Sequence, residues 1–398
     1  MTVRELDTHM TAEQTLLPEE LPFDLVDGYE VHRAALARGL DVVLLPRQVM
    51  LVGKGEGTVG QTSFTHGIPQ SMTLSGATFA QDKRMRRDMM TRAGYKVAKG
   101  ATFSVGRSRK SAAAYAEKIG YPVVIKPAIG DNTVETISGI TNADELNEAI
   151  DYFVTPPADR PGFTRAAYGL TELREPGIQD GKPVVPPGYR FIVEKQVPGE
   201  YVRVLTLNGE VLNVLYLPDG PWDSGDRARD ITDEVHGSIT DIALGAAAAV
   251  TGVPLAVVDL VVKDHTQKTT INGAPIVDFS GRPWLTVQGD VKPNLSSAVA
   301  GRIIESSMSG LSATEIRQNV DVDISLEGVV DTEAMVSALE TWSVRHAADL
   351  RPEVTDAAMG RVGARAGGDP SAVAALAEAL LHDGIYGQRA MLCSLTHI

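Results

Sequence analysis

The sequence predicts a chain of mixed helices and strands folded as two or three subdomains. Three observations carry that. A chain of 398 residues is too long for one ordinary core, and its apolar fraction of 43% is enough to build more than one. Helical and extended patterns alternate along most of its length. Three apolar strand patterns, around Lys126, Arg203 and Asp259, each carry a charged residue, which costs free energy unless a partner or ligand meets it.

Residues 1–20 read as a polar arm. Val31–Leu45 reads as a helix followed by the strand Asp-Val-Val-Leu-Leu, an α/β pattern that sets residues 1–76 apart as an N-terminal region. The glycine-rich Leu51–Gly60 lacks the Lys-Ser/Thr ending of a P-loop and reads as a turn before it reads as a phosphate cradle. Ala77–Gly94 is predicted as one helix, with Met85, Met89 and Met90 as core and Gly94 as its stop. Its basic residues Lys83, Arg84, Arg86 and Arg87 read as a solvated face, with Lys83 near the helix start as the exception. Tyr95–Ser104 is an extended linker, and Ser108–Ile119 is a helix closed by Gly120.

Tyr121–Pro127 is a short buried strand ending in Lys126, either a snorkelling side chain or a ligand-facing cation. A loop and strand follow over Ala128–Gly139, then a helix over Thr141–Phe153 with Asn142 and Glu145 as a capping pair. Val154–Gly188 holds seven prolines and five glycines, so it is a lid, a binding loop or disordered. In Val193–Arg203 two apolar runs flank a Pro198-Gly199 turn. Alone, that is a hairpin with surface charges. With its neighbours it is a crossing segment whose backbone reads a base while an acid holds a ribose. Val211–Leu217 is a strand and Ser238–Val250 a helix. Leu255–Val262 and Pro275–Ser280 are paired strands, each with one aspartate, and two facing buried carboxylates call for a cation. Beyond Leu326 the helices Asp331–Leu350 and Ser371–His382 suggest an appended C-terminal helical region, 326–398.

The net charge of −14 argues against nucleic-acid and anionic-membrane partners. Cys393 is the single cysteine, which leaves no disulfide framework. With no secretory pattern and no apolar run near 18 residues, a cytoplasmic protein is expected.

Taken together, LVGKGEG, SGATFAQDKRMRRDMMTRAGYKVAKG, YPVVIKP, FIVEKQVPGEYVRVL and the two-aspartate hairpin resemble the ATP-grasp superfamily, in particular the ligase domain of cyanophycin synthetases and bifunctional glutathione synthetases. The resemblance runs over roughly residues 30–310 and implies an ATP-grasp domain of two α+β subdomains at 77–310. It implies ATP and Mg²⁺, with Mn²⁺ as a substitute, and small carboxylate and amine substrates of amino-acid type; a homodimer is compatible with it. Lys83 and Lys126 match the phosphate-binding lysines, and Gly130, Asn132 and Thr133 fall in the phosphate loop. Glu194, Lys195 and Val197 match the adenine hinge, Glu200 the ribose acid, and Arg203 the arginine of the acyl-phosphate and tetrahedral intermediate. Asp259, Asp278 and Ser280 match the metal set, although Asp278 and Ser280 are shorter than the family's glutamate and asparagine, and Asp131 adds an acid to the phosphate loop. The implied enzyme is an ADP-forming acid–amino-acid ligase. The competing class is an ATP-binding scaffold or sensor without catalysis.

Overall fold

The computed structural model describes residues 21, 23, 25–55, 61–130, 135–156, 159–160, 176–221, 225–308, 316–346 and 348–398. Helix α1 (Val26–Ala37) and strand β1 (Asp41–Leu45) form where helix then strand are predicted, and β2 (Val49–Gly53), β3 (Thr62–Thr65) and β4 (Ile68–Pro69) follow. Residues 56–60 of the glycine-rich segment lie outside the described residues.

The single helix expected over Ala77–Gly94 is two, α2 (Leu74–Gln81) and α3 (Lys83–Arg92). Asp82 separates them in an extended conformation (φ −95°, ψ 102°) and bridges to Ile129. Its carboxylate accepts from Arg84 N at 2.9 Å, so the break in one helix is the N-cap of the next. Of the three methionines expected in the core, Met90 is buried but Met85 is 43% exposed.

Next come β5 (Gly100–Ser104), where an extended linker is expected, α4 (Arg109–Ile119), β6 (Val123–Pro127), β7 (Ile137–Ile140) and α5 (Ala143–Val154). Asn142 Oδ1 caps α5 by accepting from Asp144 N and Glu145 N, both at 3.0 Å, and Glu145 reaches back to accept from Thr141 N at 2.7 Å. The proline-rich run contains a small hairpin, β8 (Gly177–Gln179) with β9 (Lys182–Val184). Residues 157, 158 and 161–175 of that run lie outside the described residues. The chain continues through β10 (Arg190–Lys195), β11 (Glu200–Leu207), β12 (Glu210–Tyr216), β13 (Arg229–Asp230), α6 (Gly237–Ala249), β14 (Leu255–Val262) and β15 (Ile276–Ser280). It ends with α7 (Leu285–Val291), α8 (Leu295–Ser307), β16 (Val320–Glu327), α9 (Thr332–His346), β17 (Asp349–Asp356), β18 (Arg361–Gly368), α10 (Pro370–Leu381) and β19 (Leu392–His397).

Contacts divide the described chain into two units, one of residues 71–283 and 290–292, the other of residues 21–70, 284–289 and 293–398. The second unit is built on one antiparallel sheet of eight strands, in the order β17-β18-β16-β19-β1-β2-β3-β4. Residues 326–398, expected to be helical, therefore also supply three whole strands. In β16 Val320, Val322, Ile324 and Leu326 turn inward and the residues between them turn out. In β18 the inward residues are Val362, Ala364 and Ala366, side chains too small to register as a strand pattern. Nor do the N- and C-terminal regions stand apart. β1 pairs with β19, Val42 opposite Leu395, so both belong to one sheet.

The first unit has two principal antiparallel sheets, β5-β10-β6-β7 and β13-β12-β11-β14-β15. Strands β10 and β11 are close in sequence yet belong to different sheets, so Val193–Arg203 is a crossing and not a hairpin. One face of the four-stranded sheet (Val123, Ile125, Phe191, Val193) packs with Leu146, Ile150 and Phe153 of α5. One face of the five-stranded sheet (Val202, Val204, Val258, Leu260, Phe279) packs with Ile239, Ala243 and Ala246 of α6. Among the described residues no helix is long and apolar enough to cross a membrane.

Candidate active site

The charged residues occupy the other face of each sheet, because successive side chains on a strand alternate. In the four-stranded sheet Lys126 is opposite Ile192 and Glu194 is opposite Val124, so Lys126 and Glu194 are diagonal neighbours on one face. Lys126 Nζ meets Glu194 Oε2 at 2.8 Å and donates to Val277 O at 2.7 Å. The predicted snorkelling alternative is thereby set aside, since Lys126 is only 4% exposed. In the five-stranded sheet Arg203, Asp259 and Asp278 form one row across three strands, with Val257 opposite Ser280 one step along.

Helix α3 completes the cluster. Lys83, Arg86, Arg87 and Met90 fall at i, i+3, i+4 and i+7, so they share a face. The run that reads as a solvated stripe thus turns its most important members inward. Arg86 pairs with Asp278 and Arg87 with Glu194, both at short range. Lys83 Nζ donates to Gly130 O at 2.6 Å. The result is an alternating chain of charge, Arg87–Glu194–Lys126–Asp278–Arg86, its longest link being Lys126 Nζ to Asp278 Oδ2 at 4.0 Å. Lys83, Arg86, Arg87 and Lys126 together line a cavity of about 10 Å³, roughly the space of one water. Burial acts to raise the Asp278 pKa, but Lys126, Arg86 and Lys83 outweigh it and bring the carboxyl down to about 2.

The crossing is held from both sides. Lys195 N donates to Lys99 O at 2.8 Å and Gln196 N to Pro122 O at 3.1 Å. The Lys195 ammonium donates to Gly120 O and Tyr121 O, the carbonyls that close α4. Val197 N makes no such backbone bond among the described residues, and Pro198 has no N–H to offer. Gly199 has φ +145°, and a Cβ there would lie 2.4 Å from Val262 O, so the crossing passes close against β14. Glu200 accepts from His265. Asn132 and Thr133, with Asp131, lie outside the described residues; Gly130 is described, its N–H donating to Gln81 O at 2.9 Å.

The predicted metal residues come together but are already engaged. Asp259 accepts from Arg203 Nε and Nη2, each at 2.8 Å, and from the Tyr201 hydroxyl at 2.6 Å. Burial works against the Arg203 charge, yet Asp259 outweighs it and the guanidinium pKa is raised. Asp278 Oδ1 accepts from Arg86 and from Phe279 N. Ser280 Oγ accepts from Arg282 N at 2.9 Å. The compensating charge that two facing carboxylates require is thus supplied by two guanidiniums. Mg²⁺ needs near-octahedral oxygens at about 2.1 Å, and in this arrangement the three residues do not fit it. Another acidic set, Glu200, Asp264 and His265, lies within 4.8 Å. There His265 Nδ1 lies 2.8 Å from Glu200 Oε2.

Residues 82–151, which carry Lys83, Lys126 and Gly130, match the family model described as carbamoyl-phosphate synthase L chain, ATP binding domain. That match covers 70 of the 398 residues. The solved structures similar to this chain include ATP-grasp ligases. A bifunctional glutathione synthetase from Pasteurella multocida is 16% identical, with a TM-score of 0.39 over 66% of this chain and 40% of that one. A D-alanine–D-alanine ligase from Bacillus anthracis is 15% identical, with a TM-score of 0.38 over 57% and 67%. A RimK domain ATP-grasp protein from Sphaerobacter thermophilus is 14% identical, with a TM-score of 0.37 over 59% and 70%. This chain thus spans well under two thirds of the glutathione synthetase's length. No curated protein matches it at a significant level. The first unit, two antiparallel sheets with their helices, is of the expected α+β class.

Sequence reasoning missed Arg86, Arg87, Tyr201 and His265. For the two arginines the signal was present, in their i, i+3, i+4, i+7 spacing with Lys83 and Met90. For Tyr201 and His265 it was not, because their partners Asp259 and Glu200 lie more than fifty residues away in sequence.

Proposed function

We propose that this chain is an ATP-dependent, ADP-forming ligase that joins a carboxylate to an amine, both of amino-acid type. The observation that carries this reading is the gathering of Lys83, Arg86, Arg87 and Lys126 around one cavity on the segments that match an ATP-binding domain. Four cations against the two carboxylates Glu194 and Asp278 leave a positive excess, which suits a polyphosphate. Lys83 and Lys126 then hold phosphate oxygens, with Gly130, Asn132 and Thr133 as the covering loop. The Glu194–Val197 crossing reads the adenine edge, Val197 N being its donor, and Glu200 holds the ribose. A substrate carboxylate oxygen attacks the γ-phosphorus, and ADP leaves with the bonding electrons. The amine nitrogen then attacks the acyl carbon, phosphate departs, and the nitrogen loses its proton to solvent. Arg203 faces the charge that builds on the acyl oxygen. No step is assigned to a metal, since Asp259, Asp278 and Ser280 are occupied as described.

The test is ADP and phosphate release with amino acids supplied in pairs. Release that needs both a carboxylate and an amine supports the reading, and an absence of ATP binding overturns it. A second reading, an ATP-binding module without catalysis, is favoured by the engagement of Asp259 and Asp278 with arginines and by the small cavity. Tight ATP binding with no ADP release under any pair is its outcome.

A further inference from the structure

The acid proposed for the ribose does not stand free. Glu200 opens β11 opposite Val262, the last residue of β14, and His265 follows three residues later. One oxygen of Glu200, Oε2, accepts twice from that residue, from His265 N at 2.7 Å and from His265 Nδ1 at 2.8 Å. The other oxygen, Oε1, accepts no hydrogen bond among the described residues. The Glu200 side chain is 30% exposed while that of His265 is 7% exposed, so the acid faces outward and its holder is buried behind it.

His265 is itself held in one orientation. Its ring lies against Tyr216, centroids 5.5 Å apart. Arg229 Nη2 lies 3.3 Å from His265 Nε2, and a guanidinium only donates. Nε2 must therefore be the lone-pair nitrogen, which puts the ring proton on Nδ1, directed at Glu200. Arg229 is fixed in turn by Glu234 Oε2 at 2.5 Å and by the Tyr216 ring at 5.7 Å. This chain of Glu234, Arg229, His265 and Glu200 fills one carboxylate oxygen and leaves the other to a ligand.

We propose that His265 is a positioning residue that sets the rotamer of Glu200, so that Glu200 Oε1 selects a nucleotide carrying ribose hydroxyls. This rests on the reading of the site as an ATP site. A plain structural cap on the end of β14 has the same contacts but no effect on ribose selectivity, so selectivity is the quantity to measure.

The experiment is calorimetric titration of the full chain with ATP and with 2′,3′-dideoxy-ATP in magnesium-containing buffer. A hydroxyl bonded to a charged acceptor is worth about tenfold or more in affinity, so the parent prefers ATP by about that ratio. His265→Ala brings the ratio to within about twofold of unity. His265→Asn, whose amide places a donor where Nδ1 stands, keeps most of it, and His265→Gln, whose donor sits further out, does not. The Asn and Gln variants carry the comparison if the Ala variant fails to fold. An unchanged ratio in His265→Ala, or equal ratios in Asn and Gln, overturns the proposal. A parent that binds ATP and dideoxy-ATP equally also overturns it, while a parent that binds neither refutes the ATP site itself.

Discussion

Replacing Lys126 with methionine separates what this residue does for the fold from what it does for the reaction. Judged from the strand pattern alone, methionine keeps the apolar volume and little stability is lost. The ion pair reverses that expectation. Lys126 Nζ is the 2.8 Å partner of Glu194 Oε2 and the 2.7 Å donor to Val277 O, and both carboxylate and ammonium are almost wholly buried. Breaking a buried pair from one side costs about 3–5 kcal/mol. Arg87 still holds the other oxygen of Glu194, which places the loss near the lower end, about 3 kcal/mol. For a unit of this size each kcal/mol lowers Tm by about 2–4 °C, so a fall of about 6–12 °C is expected by scanning calorimetry. The double variant Lys126→Met with Glu194→Gln removes the stranded charge and should recover more than about half of that loss. ATP-dependent turnover should stay down at least about a hundredfold in both variants, a loss of about 2.7 kcal/mol of transition-state stabilisation. A single variant whose Tm moves by less than about 2 °C refutes the buried-pair argument. A double variant that regains turnover removes Lys126 from the phosphates.

The depressed Asp278 pKa gives a second prediction. Its folded value of about 2 lies below the ordinary 3.8, so the stabilisation is fully present above pH about 4 and is lost as pH falls through 2. At about 1.4 kcal/mol per pKa unit it amounts to about 2 kcal/mol. Urea unfolding at pH 5 and pH 2.5 should show that loss in the parent and not in Asp278→Asn; parallel curves for the two proteins would remove the carboxyl from this role. Third, Gly199→Ala should cost about 1–3 kcal/mol, because it combines a strained φ with a Cβ 2.4 Å from the Val262 carbonyl. A Tm and an ATP affinity equal to those of the parent would show that the crossing can move away from β14.

Much of the local structure was legible because its causes are local. Asn142 with Glu145 marks the start of α5, since a cap is made within four residues. The two aspartate strands were legible as a pair, and Asp259 does face Asp278. The break at Asp82 was not, because the extended conformation there is secured by a bridge to Ile129, more than forty residues away. The strands β17 and β18 escaped for a different reason. Their inward side chains are small or widely spaced, and pairing along the sheet holds them more than side-chain pattern does.

The sequence by itself determined which residues are charged in apolar surroundings and which face of each strand carries them. The period of two puts Arg203, Asp259 and Asp278 in one row, and it puts Lys126 and Glu194 on one face, once the pairing is known. What only the tertiary structure decided is the source of the compensating charge. Two facing carboxylates in apolar strands require a cation, and that requirement is local. Arg86, 192 residues before Asp278, meets it from a separate helix. A buried charge takes whichever partner the folded chain brings within reach, and reach is a property of the packing of α3 against β15 that no spacing along the chain records.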